Sequence, residues 1–172
     1  MIGFTKTAIS LTAVLSLFAG ALAAPAEKDY ASLIETGPGM PTVAELGLTN
    51  KDLTKPFPKS ALAARDALEK RYTPSCWGPP KCSYGDALAC YNYLNSLGTR
   101  DCQVTGSIQM CKMGHCAWDA RTLNGGFATS HCSDAAKGGH WVLDNCTNGG
   151  QTAGSNAAFN NGNLVVDVIG RK

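Results

Sequence analysis

The chain has 172 residues, with 15 Lys and Arg against 13 Asp and Glu, a formal net charge of +2, and charged residues at only 16% of positions. This balance excludes a strongly basic nucleic-acid binder and a highly charged disordered chain. Eight cysteines, Cys76, Cys82, Cys90, Cys102, Cys111, Cys116, Cys132 and Cys146, all lie downstream of residue 75.

Residues 1–23 read as a signal peptide. Lys6 precedes an apolar run from Ala8 to Leu22, and Ala21-Leu22-Ala23 gives the small-x-small pattern that places cleavage after Ala23. Ser and Thr interrupt the run, which is too short and weak for a membrane span. No later stretch is apolar enough to serve as one, so the product is expected to be secreted and extracellular, without a transmembrane segment.

Residues 24–71 differ in kind. They carry five prolines (Pro25, Pro38, Pro41, Pro56, Pro58), a "TGPG" turn, seven acidic and seven basic residues, and every glutamate of the protein: Glu27, Glu35, Glu45 and Glu69. Only "KSALAARDALEK" has helical spacing. The segment is expected to bury little and to be loosely ordered by itself. It ends on Lys70-Arg71, a dibasic pair suited to the acidic groove of a secretory-pathway processing protease. Because the pair falls at the composition boundary, 24–71 reads as a pro-segment, with Tyr72 starting the mature protein.

In an oxidising compartment the eight cysteines read as half-cystines, and their pairing is left open among on the order of a hundred possibilities. Residues 72–172 make one domain. At this size only about 60–65% of the unfolded surface is buried, so four disulfides at roughly 2–4 kcal/mol each would permit folding. Its charge is near neutral, seven Lys and Arg against six Asp.

In "YGDALACYNYLNSLG", Ala87, Cys90, Tyr91, Leu94 and Leu97 form one helical stripe, with Asp86 near the N-terminal end and Gly98 as the stop. "GSIQMCKMGHCAWDAR" reads as a hairpin turning near Met113-Gly114, after a short strand around Cys102-Gln103-Val104. In "SHCSDAAKGGHWVLDNC", Cys132, Ala135, Ala136, Gly139, Val142, Leu143 and Cys146 repeat the helical stripe, with Ser130 or Ser133 as the cap. Gly138-Gly139 in mid-helix implies close packing on a neighbour. "TNGGQTAGSNAAFNNGN" reads as a long loop, and "GNLVVDVIG" as a closing strand. The order predicts an α+β fold: a small disulfide-stapled sandwich, two helices packed on a short antiparallel sheet.

Chemistry is sparse. A ribonuclease-like set could be drawn from His115, His131 and Arg121, but no spacing enforces it and the domain has no glutamate. Zinc would need Cys111, Cys116, His131 and Cys132, at irregular gaps without a C-x-x-C pair. No G-x-S-x-G and no phosphate loop occurs. No catalytic site, cofactor or metal is therefore expected. Asn145-Cys146-Thr147 satisfies the glycosylation sequon, although a bonded cysteine at a helix end argues against its use.

"ACYNYLNSLGTRDCQV", the cysteine-bearing hairpin, "CSDAAKGGHWVLDNC" and "GGQTAGSNAAFNNGNLVVDVI" together resemble small secreted cysteine-rich proteins of filamentous fungi. Over about residues 76–170 the order of elements is similar to that of α/β-sandwich killer toxins and necrosis-inducing-factor effector domains. The resemblance implies an extracellular effector or toxin-like protein. Near-neutral charge, dense disulfides and missing catalytic groups favour a monomeric, cell-death-inducing virulence effector that binds a host protein, membrane or cell-wall component without catalysis. A killer-type antimicrobial toxin is the alternative. No functional residue carries over from either family.

Overall fold

A computed structural model describes residues 28–57 and 72–171. The expected signal peptide with its cleavage site at Ala23, the helical stretch in 58–71 and the Lys70-Arg71 pair lie outside the described residues.

Ten strands and four helices are found among the described residues: α1 (Tyr30–Leu33), β1 (Ile34–Thr36), α2 (Asn50–Leu53), β2 (Ser75–Cys76), β3 (Cys82–Ser83), α3 (Tyr84–Ser96), β4 (Asp101–Thr105), β5 (Ser107–Met113), β6 (Cys116–Thr122), β7 (Phe127–His131), α4 (Cys132–Cys146), β8 (Gln151–Thr152), β9 (Gly154–Ala158) and β10 (Asn161–Gly170). One antiparallel sheet runs in the order β1-β5-β6-β10-β9-β2, and two small ribbons pair β3 with β8 and β4 with β7. The mixed, disulfide-stapled α+β class holds, but the sheet is not short. Six strands form it, and strand outweighs helix among the described residues.

The two long helices follow their sequence signals. The Ser83 side chain caps α3 by accepting from the Asp86 amide, at 3.2 Å, and Gly98 ends the turn at φ +58°. α4 departs from expectation at its start, because neither Ser130 nor Ser133 caps it. The N-cap is His131, without a side-chain cap bond. The amides of Cys132 and Ser133 instead reach the carbonyls of Arg100 and Gly98, at 2.9 and 3.0 Å, so the loop after α3 satisfies them.

α3 and α4 pack on each other and on the sheet face that carries Trp118, Ala120, Leu164, Val166 and Val168, all fully buried. The paired glycines allow this contact. A Cβ on Gly138 would sit 2.5 Å from the Ala157 carbonyl oxygen, and one on Gly139 would enter the Trp118 ring. The same closeness corrects the reading of 147–163 as loop. Gly154, Ser155, Asn156, Ala157 and Ala158 form the buried strand β9, whose small side chains admit α4. Small polar residues there mark close packing rather than exposure. β7 was likewise absent from the expected strands.

The hairpin forms as expected, turning at Gly114 (φ +54°) and His115, with Cys111 and Cys116 on its two arms. These two do not bond each other. The disulfides are Cys76–Cys146, Cys82–Cys116, Cys90–Cys111 and Cys102–Cys132. They tie β2 to the end of α4, β3 to β6, α3 to β5, and β4 to the start of α4.

Candidate functional site

Residues 28–57 have too few apolar side chains to form a core, and they gain order by using the domain's. β1 joins the sheet beside β5, pairing Ile34 with Met113, Glu35 with Lys112 and Thr36 with Cys111. The Gly37 amide then donates to the Met110 carbonyl at 2.9 Å. A Cβ at Gly37 would collide with the Gln109 carbonyl oxygen, so only glycine lets the chain lie this close. Leu53 is fully buried and Val43 nearly so. Complete burial of one such side chain contributes about 1.5–3 kcal/mol.

Polar ties complete the cover. Asn92, on α3, donates its amide to the carbonyls of Leu53 and Lys55 at 2.8 and 3.0 Å, and the Tyr93 hydroxyl donates to the Pro41 carbonyl at 2.7 Å. Burial pushes the Tyr93 phenol up to about 12, which keeps it a hydrogen-bond donor. Phe57 packs against Tyr91 edge-on, with centroids 4.9 Å apart, and against the His140 ring at 3.4 Å. Lys112 Nζ meets Glu35 Oε1 at 2.8 Å, and Lys28 Nζ donates to Asp86 Oδ1.

Asp86 also borders a cavity of about 520 Å³ whose walls include Lys81, Ser83, His115, Gln151 and Arg171. Its carboxylate is nearly buried, and Lys28 reaches it from the cover. None of the residues lining the cavity belongs to 28–57, so the segment covers the β5 edge and reaches the cavity's border only through Lys28 at Asp86.

A second polar cluster sits on the sheet face away from the helices. Asp119 and Asp167 are direct cross-strand partners, flanked in the same row by Gln109 and Ser155. Burial raises both carboxyls above the usual range, opposed by Arg171 at Asp119 and by Arg121 at Asp167, and Asp119 further raises Asp167. Arg121 Nε donates to Asp167 Oδ2 at 2.8 Å and its Nη2 to the Tyr72 hydroxyl at 3.2 Å, while Arg171 donates to Asp119. Each carboxylate has its own guanidinium, so the row is a neutralised ionic ladder.

The structure does not bring together the residues that might have made an enzyme. His115 and Arg121 stand at opposite ends of β6, about 20 Å apart by strand rise. His131 lies at the start of α4, 4.0 Å from Asp134, and His140 is buried under Phe57. The cysteines of the zinc alternative are all in disulfides. Among the described residues no group of three or more His, Cys, Asp or Glu could hold a metal ion. Asn145 is exposed, but its amide donates to the Trp141 carbonyl at 2.8 Å and Thr147 donates to the Leu143 carbonyl, so the sequon is wound into a helix end.

The sequence reading missed the covered face, although one signal for it was present. Ala87-Leu88-Ala89-Cys90-Tyr91 is apolar without interruption, and all five residues are buried. A helix apolar all round is buried all round, so α3 needed a covering element outside the sheet.

Fold and face together define a disulfide-stapled α+β domain whose sheet edge is covered by a cysteine-free N-terminal segment. Over residues 70–170, more than half its length, the chain matches the family described as Domain of unknown function (DUF8794), and it belongs to that family. No curated protein and no solved structure matches it. No helix among the described residues is long and apolar enough to cross a membrane, and the four disulfides fit an oxidising compartment.

Proposed function

We propose that the protein is a secreted cysteine-rich effector of fungal type. In this reading it acts as a monomer and without catalysis, by binding a host protein, membrane or cell-wall component. Residues 24–71 are its pro-segment, removed after Arg71. The carrying observation is the distribution of covalent ties. All four disulfides join residues within 76–146, and none reaches residues 28–57, which hold the domain through one short strand, ion pairs, side-chain hydrogen bonds and apolar contacts. One cut in 58–71 would leave the cover attached only by these. The host-directed role rests on the resemblance to secreted fungal proteins, and the arginine-neutralised carboxylates favour binding over acid–base chemistry.

The test compares oxidised precursor, uncut and cut after Arg71, for ion leakage from plant leaf tissue and for growth inhibition of fungal and bacterial cultures. Leakage from the cut form alone, abolished by reduction and with microbes unharmed, is the expected result. Inhibited microbes beside intact leaves would replace this reading with the killer-type toxin. An intact mass of native secreted protein beginning at Ala24 would remove the pro-segment.

A further inference from the structure

An edge strand with unpaired backbone groups is a template for another chain, and proteins normally guard such edges. Here β5, paired on its inner side with β6, is the edge of the domain's own sheet, and the strand on its outer side, β1, belongs to a segment that no disulfide ties to the domain. The side chains next to that edge are poorly suited to exposure. Met110 and Met113 are fully buried, and Tyr91 and Leu88 nearly so, with the cover in place. Uncovered, the face would present an apolar strip, a row of free backbone donors and acceptors, and two charges of opposite sign at separate points.

Those charges give the face a polarity. Asp86, nearly buried beside the 520 Å³ cavity, holds a primary ammonium from Lys28, and Lys112 holds a carboxylate from Glu35. Between them Ile34 packs on the core; beyond Glu35, Thr36 continues the ladder and Gly37 passes where no Cβ fits. The domain thus recognises a basic side chain, then, after a helical turn, an apolar and an acidic residue in a strand, then glycine.

We infer that the face under residues 28–37 is the domain's binding site for a segment of a partner protein that adds a short strand to β5, as Ile34–Thr36 does, and through a helical turn before it, like Tyr30–Leu33, places a Lys or Arg side chain on Asp86. The pro-segment is a stand-in for that partner and keeps the site closed until it is cut. Main-chain pairing supplies sequence-tolerant affinity, and the Asp86 and Lys112 contacts supply specificity and direction, as in other cases of strand addition. The inference rests on the proposed removal of 24–71 and names the class of partner.

The experiment uses oxidised precursor, uncut or cut in vitro after Arg71, and fluorescent peptides read by anisotropy. One peptide has the sequence of residues 28–37. A second keeps only its Lys, Ile, Glu and Gly in an otherwise unrelated sequence, and a third exchanges the Lys and Glu of the second. The first two should bind the cut protein and not the uncut one, with the third at least about tenfold weaker. Asp86→Asn should weaken binding about tenfold, as expected for loss of a charge-assisted contact. Lys112→Glu should shift preference toward a peptide with Lys in place of its Glu. Equal binding to uncut protein, or none to cut protein that keeps its near-ultraviolet circular dichroism, overturns the inference. The processing reading fails separately, through the mass of the native secreted protein, which this binding assay does not touch.

Discussion

Gly138 is where a single methyl group has the clearest consequence for the domain. By helix propensity, alanine in mid-helix is better than glycine by about 1 kcal/mol. The added Cβ would lie 2.5 Å from the Ala157 carbonyl oxygen and 3.1 Å from the Ala158 Cα, both backbone atoms of β9 that cannot turn away. Overpacking of this kind costs about 1–3 kcal/mol, so the clash should exceed the propensity gain. Gly138→Ala is expected to lower the melting temperature of the oxidised protein, whereas Gly125→Ala, at an open turn with φ +67°, should lose only its local backbone strain. Equal melting temperatures for Gly138→Ala and the parent would mean that α4 can move off the sheet. The mid-helix glycine pair was legible in the sequence as close packing, but its partner was not, because nothing in "GSNAA" distinguishes a buried small-residue strand from a turn-rich loop.

Among the elements, the local ones were legible and the long-range ones were not. α3, α4, the β5–β6 hairpin and β10 each carry their periodicity within a few residues, so the sequence shows them with nearly the observed bounds. The cap of α4 is different, since its first amides are satisfied by carbonyls some thirty residues upstream, a pairing that leaves no local signature. The cover is the extreme case. Its strand pairs Ile34 with Met113, 79 positions away, and its only trace in the sequence is the unbroken apolar run on the helix beneath it. Disulfides also act at this scale, and their spans differ. Cys76–Cys146 closes a separation of 70 residues, and Cys90–Cys111 one of 21. By loop entropy the first should contribute about 4 kcal/mol and the second about 3 kcal/mol. Replacing both cysteines of the longer bridge with serine should therefore lower the denaturant midpoint more than the same change in the shorter one. The reverse order would show that the tie between α3 and β5 acts chiefly in the native state.

Across the whole molecule, acid acts on cover and body in opposite directions. In the cover, hydrogen bonds hold three carboxyls below the usual range. Asp29 is held by the Ser32 side chain and amide, Glu45 by the Thr42 amide and hydroxyl, and Asp52 by the Thr49 hydroxyl and amide. Groups lowered in this way stabilise the folded segment above their ordinary values and lose that contribution as pH falls through the lowered ones. In the body, Asp119 and Asp167 are raised, chiefly by burial. Their ionised forms cost stability at neutral pH, and that cost is relieved as pH falls through the raised values toward the ordinary one near 3.8. The sheet should be relieved of buried charge first, above about 3.8, and the cover should loosen only as pH falls below the ordinary carboxyl values of 4.5 and 3.8. Hydrogen exchange of the uncut precursor checks both halves. Amides of residues 111–113, paired with β1, should exchange faster relative to those of β6 and β10 as pH falls, after correction for intrinsic rates. Asp119→Asn combined with Asp167→Asn should remove the body's part of the response and leave the cover's unchanged. If protection at 111–113 and in β10 falls together with acid, cover and domain open as one cooperative unit, and residues 28–57 are an integral part of the fold.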